Sequence, residues 1–482
     1  MQFLQRIIKY DKAVFAGLVI LFLIGIWYAQ VQSIAAIYVI PFALIGVVIA
    51  AENFRLIWYG ALFLMPLSVN VNTLIQDSSV QFPTDLLSFA LMGILLFKMI
   101  SEKNNFSAYY RHPVTVNILM VLCWQMVCLF TVEDLSTSGK YVLMTAWFVF
   151  AFYLVSTIMF SNPKAIVYFY FLTGSGFVLS MLIILGKYFL EGRNPFSLRF
   201  NPMPVFRDHT LFGAFTTFFI PMFFLFAWRG NFSRTLRLSA FVIFIFFAGG
   251  LFFSYSRGAW ASTFVAMLLM GLFMFRQTFR RFAVPVMILV LAGVIFVYNS
   301  YRENNLRNEA VSRESFVDHV MSMTNFKSDD SNVERLNRWA SAIEMYRERP
   351  VFGFGPGSYS FEYGNYQFAK NRTKISTNHG DNGTAHNEMM LALSETGLPG
   401  AILTFALLLL PIILGIRGYL RASEKNIRLI YLGATTGLAS YFLHSMVNNF
   451  LDQDKVAVAF FASLAILTAL DLRADRQPAT NA

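Results

Sequence analysis

Thr210-Leu-Phe-Gly-Ala-Phe-Thr-Thr-Phe-Phe-Ile-Pro-Met-Phe-Phe-Leu-Phe-Ala-Trp228 runs nineteen residues without a single charge. Coiled as a helix at about 1.5 Å per residue it extends about 28 Å, close to the ~30 Å hydrocarbon core of a bilayer. Working outward, thirteen more apolar blocks of similar length read the same way: 13–30, 33–50, 54–69, 83–100, 114–132, 141–160, 165–189, 237–255, 258–275, 282–299, 399–416, 428–448 and 455–471. The composition agrees. Of 482 residues 56% are hydrophobic and only 13% charged, with 53 phenylalanines, whereas a soluble chain carries about a quarter charged residues. The expected fold class is an all-α polytopic membrane protein. The first block is long for a signal-peptide core and is read as a retained anchor. Cys123 and Cys128 lie within one block and have no metal-ligand spacing, so they are read as small core residues.

Fourteen spans place both termini on one side, and the distribution of Lys and Arg decides which. With the N-terminus inside, short inside segments hold 20 basic residues and short outside segments hold 7. The remaining 11 lie in the long segment 300–388, and long loops cross a membrane regardless of charge. Both termini are therefore expected in the cytoplasm. The net charge of +11 and pI near 9.5 follow from this bias, so no nucleic-acid partner is implied.

Residues 300–388 form the one large element outside the spans. Glu334 to Tyr346 places Leu336, Trp339, Ile343 and Tyr346 on one helical face. Pro350 and Gly353-Phe-Gly-Pro-Gly357 then stop the helix. Tyr363 to Asn387 reads as aromatic-rich irregular loop, and a loop of this length is usually functional or disordered. The glycine cluster lacks the context of a nucleotide loop. It reads as a turn whose backbone N–H groups remain able to contact a phosphate.

Three features carry chemistry. Arg257, in Ser256-Arg-Gly258, sits where basic residues are disfavoured, which favours an anionic partner over a plain topology anchor. Arg335 and Arg338 flank Trp339 on the loop helix, with a solvated face paired to glutamates as the plainer reading. His386-Asn387 precedes re-entry into the membrane, and its imidazole suits proton transfer. Guanidinium forks bind diphosphate in a bidentate way and stay charged. A rival set, His379, Asp381 and His386, offers imidazole and carboxylate to a metal but lacks helical ligand spacing.

Here the chain resembles the O-antigen ligase family, the Wzy_C or WaaL-like superfamily. The resemblance rests on Ser256-Arg-Gly-Ala-Trp260, Arg335-x-x-x-Trp339, Glu348-Arg-Pro-Val-Phe-Gly-Phe-Gly-Pro-Gly357, His386-Asn-Glu-Met-Met-Leu391 and Ser394-Glu-Thr-Gly397. Arg199-Phe-Asn-Pro202 and Arg207-Asp-His209 are similar in style to a family loop. The ligase-like region covers about residues 240–410. The resemblance implies a glycosyltransferase that needs no metal, nucleotide or other cofactor. It would move a glycan from undecaprenyl diphosphate to an acceptor glycolipid or glycan, such as lipid A-core, at the periplasmic face of the bacterial inner membrane, with inversion. His386 matches the family's essential histidine, Arg257 and Arg335 its diphosphate-binding arginines, and Arg338 is an adjacent candidate. Trp339, Asn387, Glu395 and Arg207 complete the set as supporting residues. Family members have about a dozen helices, so about 12–14 spans are expected. The expected organisation is an N-terminal bundle over 1–299, a large periplasmic loop with short helices over 300–398, and C-terminal spans with a short cytoplasmic tail over 399–482. A polymerase extending a lipid-linked glycan and a protein O-oligosaccharyltransferase share these motifs. A lipid-linked sugar transporter would need charge near mid-membrane and internal repeats. The spans show neither.

Overall fold

Within hydrocarbon every backbone polar group must be bonded inside the protein, which leaves a charge-poor chain of this kind the helix. The computed structural model describes residues 54–70, 81–101, 107–192, 194, 200–274, 330–367 and 383–476. The expected spans 13–30, 33–50 and 282–299 lie outside these residues. Each of the other eleven corresponds to a helix. They are α1 (Phe54–Leu67), α2 (Thr84–Ser101), α3 (Pro113–Cys128), α4 (Leu135–Phe160), α5 (Pro163–Leu190), α6 (His209–Trp228), α7 (Arg234–Phe253), α8 (Arg257–Met274), α10 (Glu388–Arg421), α11 (Lys425–His444) and α12 (Asp454–Arg476). The extramembrane helix α9 covers Asp330–Glu348. Among the described residues the sole strand pairing is Val69–Asn70 with Gln81–Phe82. The chain is an all-α, multi-pass membrane protein.

Helix starts follow local chemistry. Asp134, Asn162 and Asp208 each accept backbone N–H groups at the start of α4, α5 and α6, as short polar side chains do at an N-cap. Pro113 and Pro163 sit in first turns, where a missing N–H costs nothing. The long run 165–189 is one unbroken helix of 28 residues.

Seven described helices are long and apolar enough to cross a membrane, and α1, α3 and part of α2 are shorter apolar helices. Burial sorts them. The apolar windows of α6 and α12 are 89% buried, against 22% for α7 and 28% for α8 and α10, so α6 and α12 are central and the others present apolar faces outward. α11 matches α6 in length but is more polar, and it packs on α6, α8, α10 and α12. Surrounded by protein on these sides, it has no need of a uniformly apolar surface. Phenylalanines fill the space between α5, α6 and α7, where Phe177 stacks on Phe247 with centroids 4.1 Å apart.

Segments that alternate along the sequence meet at two ends of the bundle. At one end Glu133 bonds Arg349 (2.6 Å), His209 Nδ1 donates to Ser254 O (2.8 Å) and Thr384 Oγ1 donates to Asn449 Oδ1 (2.6 Å). At the other His112 lies 3.5 Å from Asp471, whose carboxylate also takes Tyr431 OH at 2.7 Å. α9 lies at the first end, packed on α10.

α1 and α5 approach so closely that only glycine fits between them. A Cβ on Gly176 would stand 2.1 Å from the Phe63 carbonyl oxygen. Gly176→Ala is expected to separate the helices and cost about 1–3 kcal/mol, visible as a lowered melting temperature in detergent.

Candidate active site

Where α10 begins, the chain is tied residue by residue to the turn between α11 and α12. Thr384 Oγ1 bonds Asn449 and His386 Nδ1 lies 3.2 Å from Asn448 Oδ1. Asn387 caps α10, its Oδ1 accepting from Met389 N (2.8 Å) and Met390 N (3.1 Å), while its Nδ2 donates to Met446 O (2.8 Å). The buried Glu388 Oε1 then accepts from Tyr441 OH (2.7 Å), Phe450 N (2.8 Å) and Leu451 N (3.0 Å). A short, acceptor-rich side chain beside a carboxylate is what a turn full of spare N–H groups requires.

α9 closes over this junction with the face opposite to its apolar row. Leu336 and Ile343 are 41% and 36% exposed, while Glu334, Asn337, Arg338 and Ser341 are buried together with Ala342 and Met345. The expected apolar row with Trp339 and Tyr346 is therefore the outer one. Periodicity locates a stripe but does not say which stripe faces inward. The inward stripe is mixed, with Ala342 and Met345 packed among Phe354, Tyr359, Tyr363, Ala385 and Leu391 beside the buried polar groups. Arg338 is buried rather than solvated. Its Nε donates to Glu334 (2.9 Å), its Nη1 to Thr384 O (2.9 Å), and its guanidinium lies 5.4 Å from the Tyr363 ring centroid. Arg335, one turn earlier, is half-buried. Trp339 is half-buried, and its indole N–H meets no acceptor among the described residues.

The glycine-rich stretch forms the expected turn at the end of α9, but its N–H groups are not left open. Its N–H groups are directed at α10, with Phe354 N donating to Ser394 O (3.0 Å), Gly355 N to Glu395 O (2.8 Å) and Tyr359 N to Glu395 Oε1 (3.0 Å). They are thereby unavailable to a phosphate. Glu395 anchors this turn. Gly353 has φ +64°, and a Cβ there would meet the Glu395 carbonyl carbon at 2.3 Å. The turn docks where α10 kinks at Gly397, and Trp124 Nε1 bonds the Thr396 carbonyl at 2.8 Å.

Arg257 heads α8. The next residue, Gly258, packs against the same turn, since a Cβ there would lie 3.0 Å from Val447, 3.5 Å from His444 and 3.7 Å from Asn448 Nδ2. Arg207 is exposed, and Asp208 caps α6 through Thr210 N and Leu211 N, both at 2.8 Å. Asp452 is half-buried, and desolvation pushes its carboxyl up, with the Gln453 hydrogen bond and then Arg207 opposing.

Electrostatics complete the picture. Burial, followed by the Arg338 and Arg335 guanidinium groups, pulls the His386 imidazole down to about 4, with the Asn448 hydrogen bond and Asp208 acting the other way. The imidazole is neutral through the physiological range, and the two cations acting on it favour that neutral form. The described non-glycine residues with positive φ are Tyr255 (φ 45°) and His386 (φ 50°). Both lie in the motifs of this site, and such conformations cost about 1–3 kcal/mol each. The structure thus brings His386, Asn387, Arg335, Arg338 and the α8 start to one place, with Arg207 at its rim.

The family model of Wzy_C, O-antigen ligase, matches residues 242–405. No curated protein matches the chain. The Wzy_C segment is about a third of the chain and carries Arg257, Arg335, Arg338, Trp339, His386, Asn387 and Glu395. At a coarse level it supports a membrane enzyme of the ligase or polymerase class of glycosyltransferases. His444, Asn448 and Asn449 lie beyond it, and sequence reasoning missed them together with Glu388. A signal existed in His444-Ser-Met-Val-Asn-Asn449, a polar run at the end of an otherwise apolar block. In the rival metal set, His379 and Asp381 lie outside the described residues.

Glu388→Leu is expected to strand three buried donors and cost roughly 3 kcal/mol or more, while Glu388→Gln keeps the acceptor and costs about 1 kcal/mol or less. Thermal unfolding, and protease cleavage within 444–454, measure the difference.

Proposed function

We propose that this protein is an O-antigen ligase-like glycosyltransferase that moves a glycan from undecaprenyl diphosphate to an acceptor glycolipid of the lipid A-core type. The observation that carries the reading is a neutral, half-buried imidazole within electrostatic reach of two arginines at one end of a membrane bundle. In this reading the acceptor hydroxyl gives its proton to His386 and attacks the anomeric carbon, inverting it. Diphosphate departs with the bonding electrons. Arg257 and Arg335 hold its oxygens, and their fixed charge offsets the negative charge that develops on the leaving group. Arg338 adds positive field while steadying the Thr384 carbonyl, and Trp339 and Arg207 line the approach. The reaction needs no metal or nucleotide. The site faces the periplasm and both termini the cytoplasm, with the inner membrane between, a placement supported by the Lys/Arg bias of the short loops. Residues 1–299 form the N-terminal bundle, 300–398 the outer segment that carries the chemistry, and 399–482 the C-terminal spans and tail.

Purified protein, a defined undecaprenyl-diphosphate glycan and candidate acceptors test this directly. His386→Ala and Arg257→Ala should each lower transfer by at least about 100-fold with unchanged yield and melting temperature, and a chelator should leave the wild-type rate intact. Elongated lipid-linked glycan in place of acceptor-linked product would identify a polymerase instead.

The pH profile follows from the direction of the His386 shift. The folded imidazole sits below its ordinary value, so the base is lost only as pH falls toward about 4, and the acid limb of kcat/KM lies well below that of an exposed histidine. Bound diphosphate brings negative charge and raises the imidazole, so the acid limb of kcat should lie at higher pH than that of kcat/KM.

A further inference from the structure

We propose that Asn448 is a positioning residue of this site, fixing the His386 tautomer so that a bare Nε2 meets the acceptor hydroxyl, with His444 holding the other end of the same amide. The inference deepens the function proposed above and rests on it.

Asn448 Oδ1 lies 3.2 Å from His386 Nδ1, and Asn448 Nδ2 lies 3.1 Å from His444 Nε2. An amide oxygen has no hydrogen to give, so Nδ1 of His386 must carry the proton. A neutral imidazole has one N–H, which leaves its Nε2 with a lone pair. At the other end the amide nitrogen only donates, so His444 Nε2 accepts and the His444 proton resides on Nδ1. Turning the amide over would reverse both rings together. One side chain thereby couples two tautomers, and a base is competent in only one arrangement.

The coupling side chain is itself held. Asn448 is 2% exposed and His444 0% exposed, Asn448 N donates to His444 O at 3.1 Å, and Gly258 packs beside the amide. His444 Nδ1 finds no partner among the described residues, so Asn448 is the described side chain that orients this ring. The charged groups acting on His386 are Arg335 and Arg338 from α9 and Asp208 at the start of α6. None of them bonds Nδ1 among the described contacts.

In the transfer step the acceptor O–H proton passes to His386 Nε2 while the acceptor oxygen bonds the anomeric carbon. The anomeric carbon–diphosphate bond breaks and its electron pair leaves with the diphosphate. The imidazolium so formed still donates Nδ1–H to Asn448 Oδ1, so no group has to move.

Nitrogen-15 spectra of histidine-labelled protein in lipid nanodiscs at neutral pH read the tautomer without reference to activity. Six histidines are present, and His386→Gln assigns the signal. The expected spectrum has a protonated Nδ1 and a bare Nε2, and a protonated Nε2 would overturn the proposal. Asn448→Leu should average the two tautomers and lower kcat roughly 10- to 100-fold with little change in KM for the lipid-linked donor. Asn448→Asp keeps an acceptor on Nδ1–H, should retain more activity than the leucine variant, and should move the acid limb upward by about one unit. Wild-type rates and pH profiles in both variants would refute the role. If Asn448→Leu fails to insert, the aspartate variant and the wild-type spectrum decide. Absence of transfer from a defined undecaprenyl-diphosphate glycan by the wild-type protein would instead remove the glycosyl-transfer reading and leave the tautomer result standing.

Discussion

One buried carboxylate holds the functional end of this molecule together. Glu388 takes the Tyr441 phenol and two backbone N–H groups of the α11–α12 turn, and its own N–H goes to Ser445 O at 2.9 Å. A carboxyl acceptor in such a place is tolerated because each donor around it is one the turn would otherwise leave unsatisfied. Since Glu388 is the first residue of α10, this clamp fixes where His386 stands. It also brings Asn448 under the imidazole and Gly258 of α8 against the same turn. Loss of the clamp would uncouple three helices and the candidate base together.

The distribution of polarity follows from what each surface meets. α7, α8 and α10 present apolar faces outward, while α11 keeps its hydroxyls and His444 inside protein. α9 lies outside the spans and buries a mixed face, polar at Glu334, Asn337, Arg338 and Ser341 and apolar at Ala342 and Met345. The glycine-rich turn spends its N–H groups on Glu395 and the kinked start of α10, so it acts as a hinge pin for α9 rather than as a phosphate cradle. Positive φ at Gly353 and Gly397 permits the two backbones to meet.

A base and cations in one site are ordinarily in conflict, since nearby positive charge makes an imidazole harder to protonate. Here the conflict serves the chemistry. Burial, with the arginines adding to it, keeps His386 neutral, and in the proposed reaction a bound diphosphate would offset their charge. Backbone strain at Tyr255 and His386 fits the same pattern, with the surrounding bonds over-determining two unfavourable conformations at the places where side chains must be aimed.

Lipid-spanning length and charge scarcity determined the fold class from sequence alone, because a bilayer imposes one local rule on every segment that enters it. The motifs around Arg257, Arg335, Arg338 and His386 were equally legible, being short and carried by unusual residues in unusual places. What tertiary structure decided was which face of α9 turned inward, what the glycine-rich turn bonded, and that His444, Asn448 and Glu388 belonged to the site. None of these has a local signature. The two faces of α9 differ only in what they are packed against, and Asn448 acquires meaning only when a residue sixty-two positions earlier is folded onto it. Periodicity and composition describe a segment's own preferences, whereas the partner of a buried polar group is chosen by where the rest of the chain has gone.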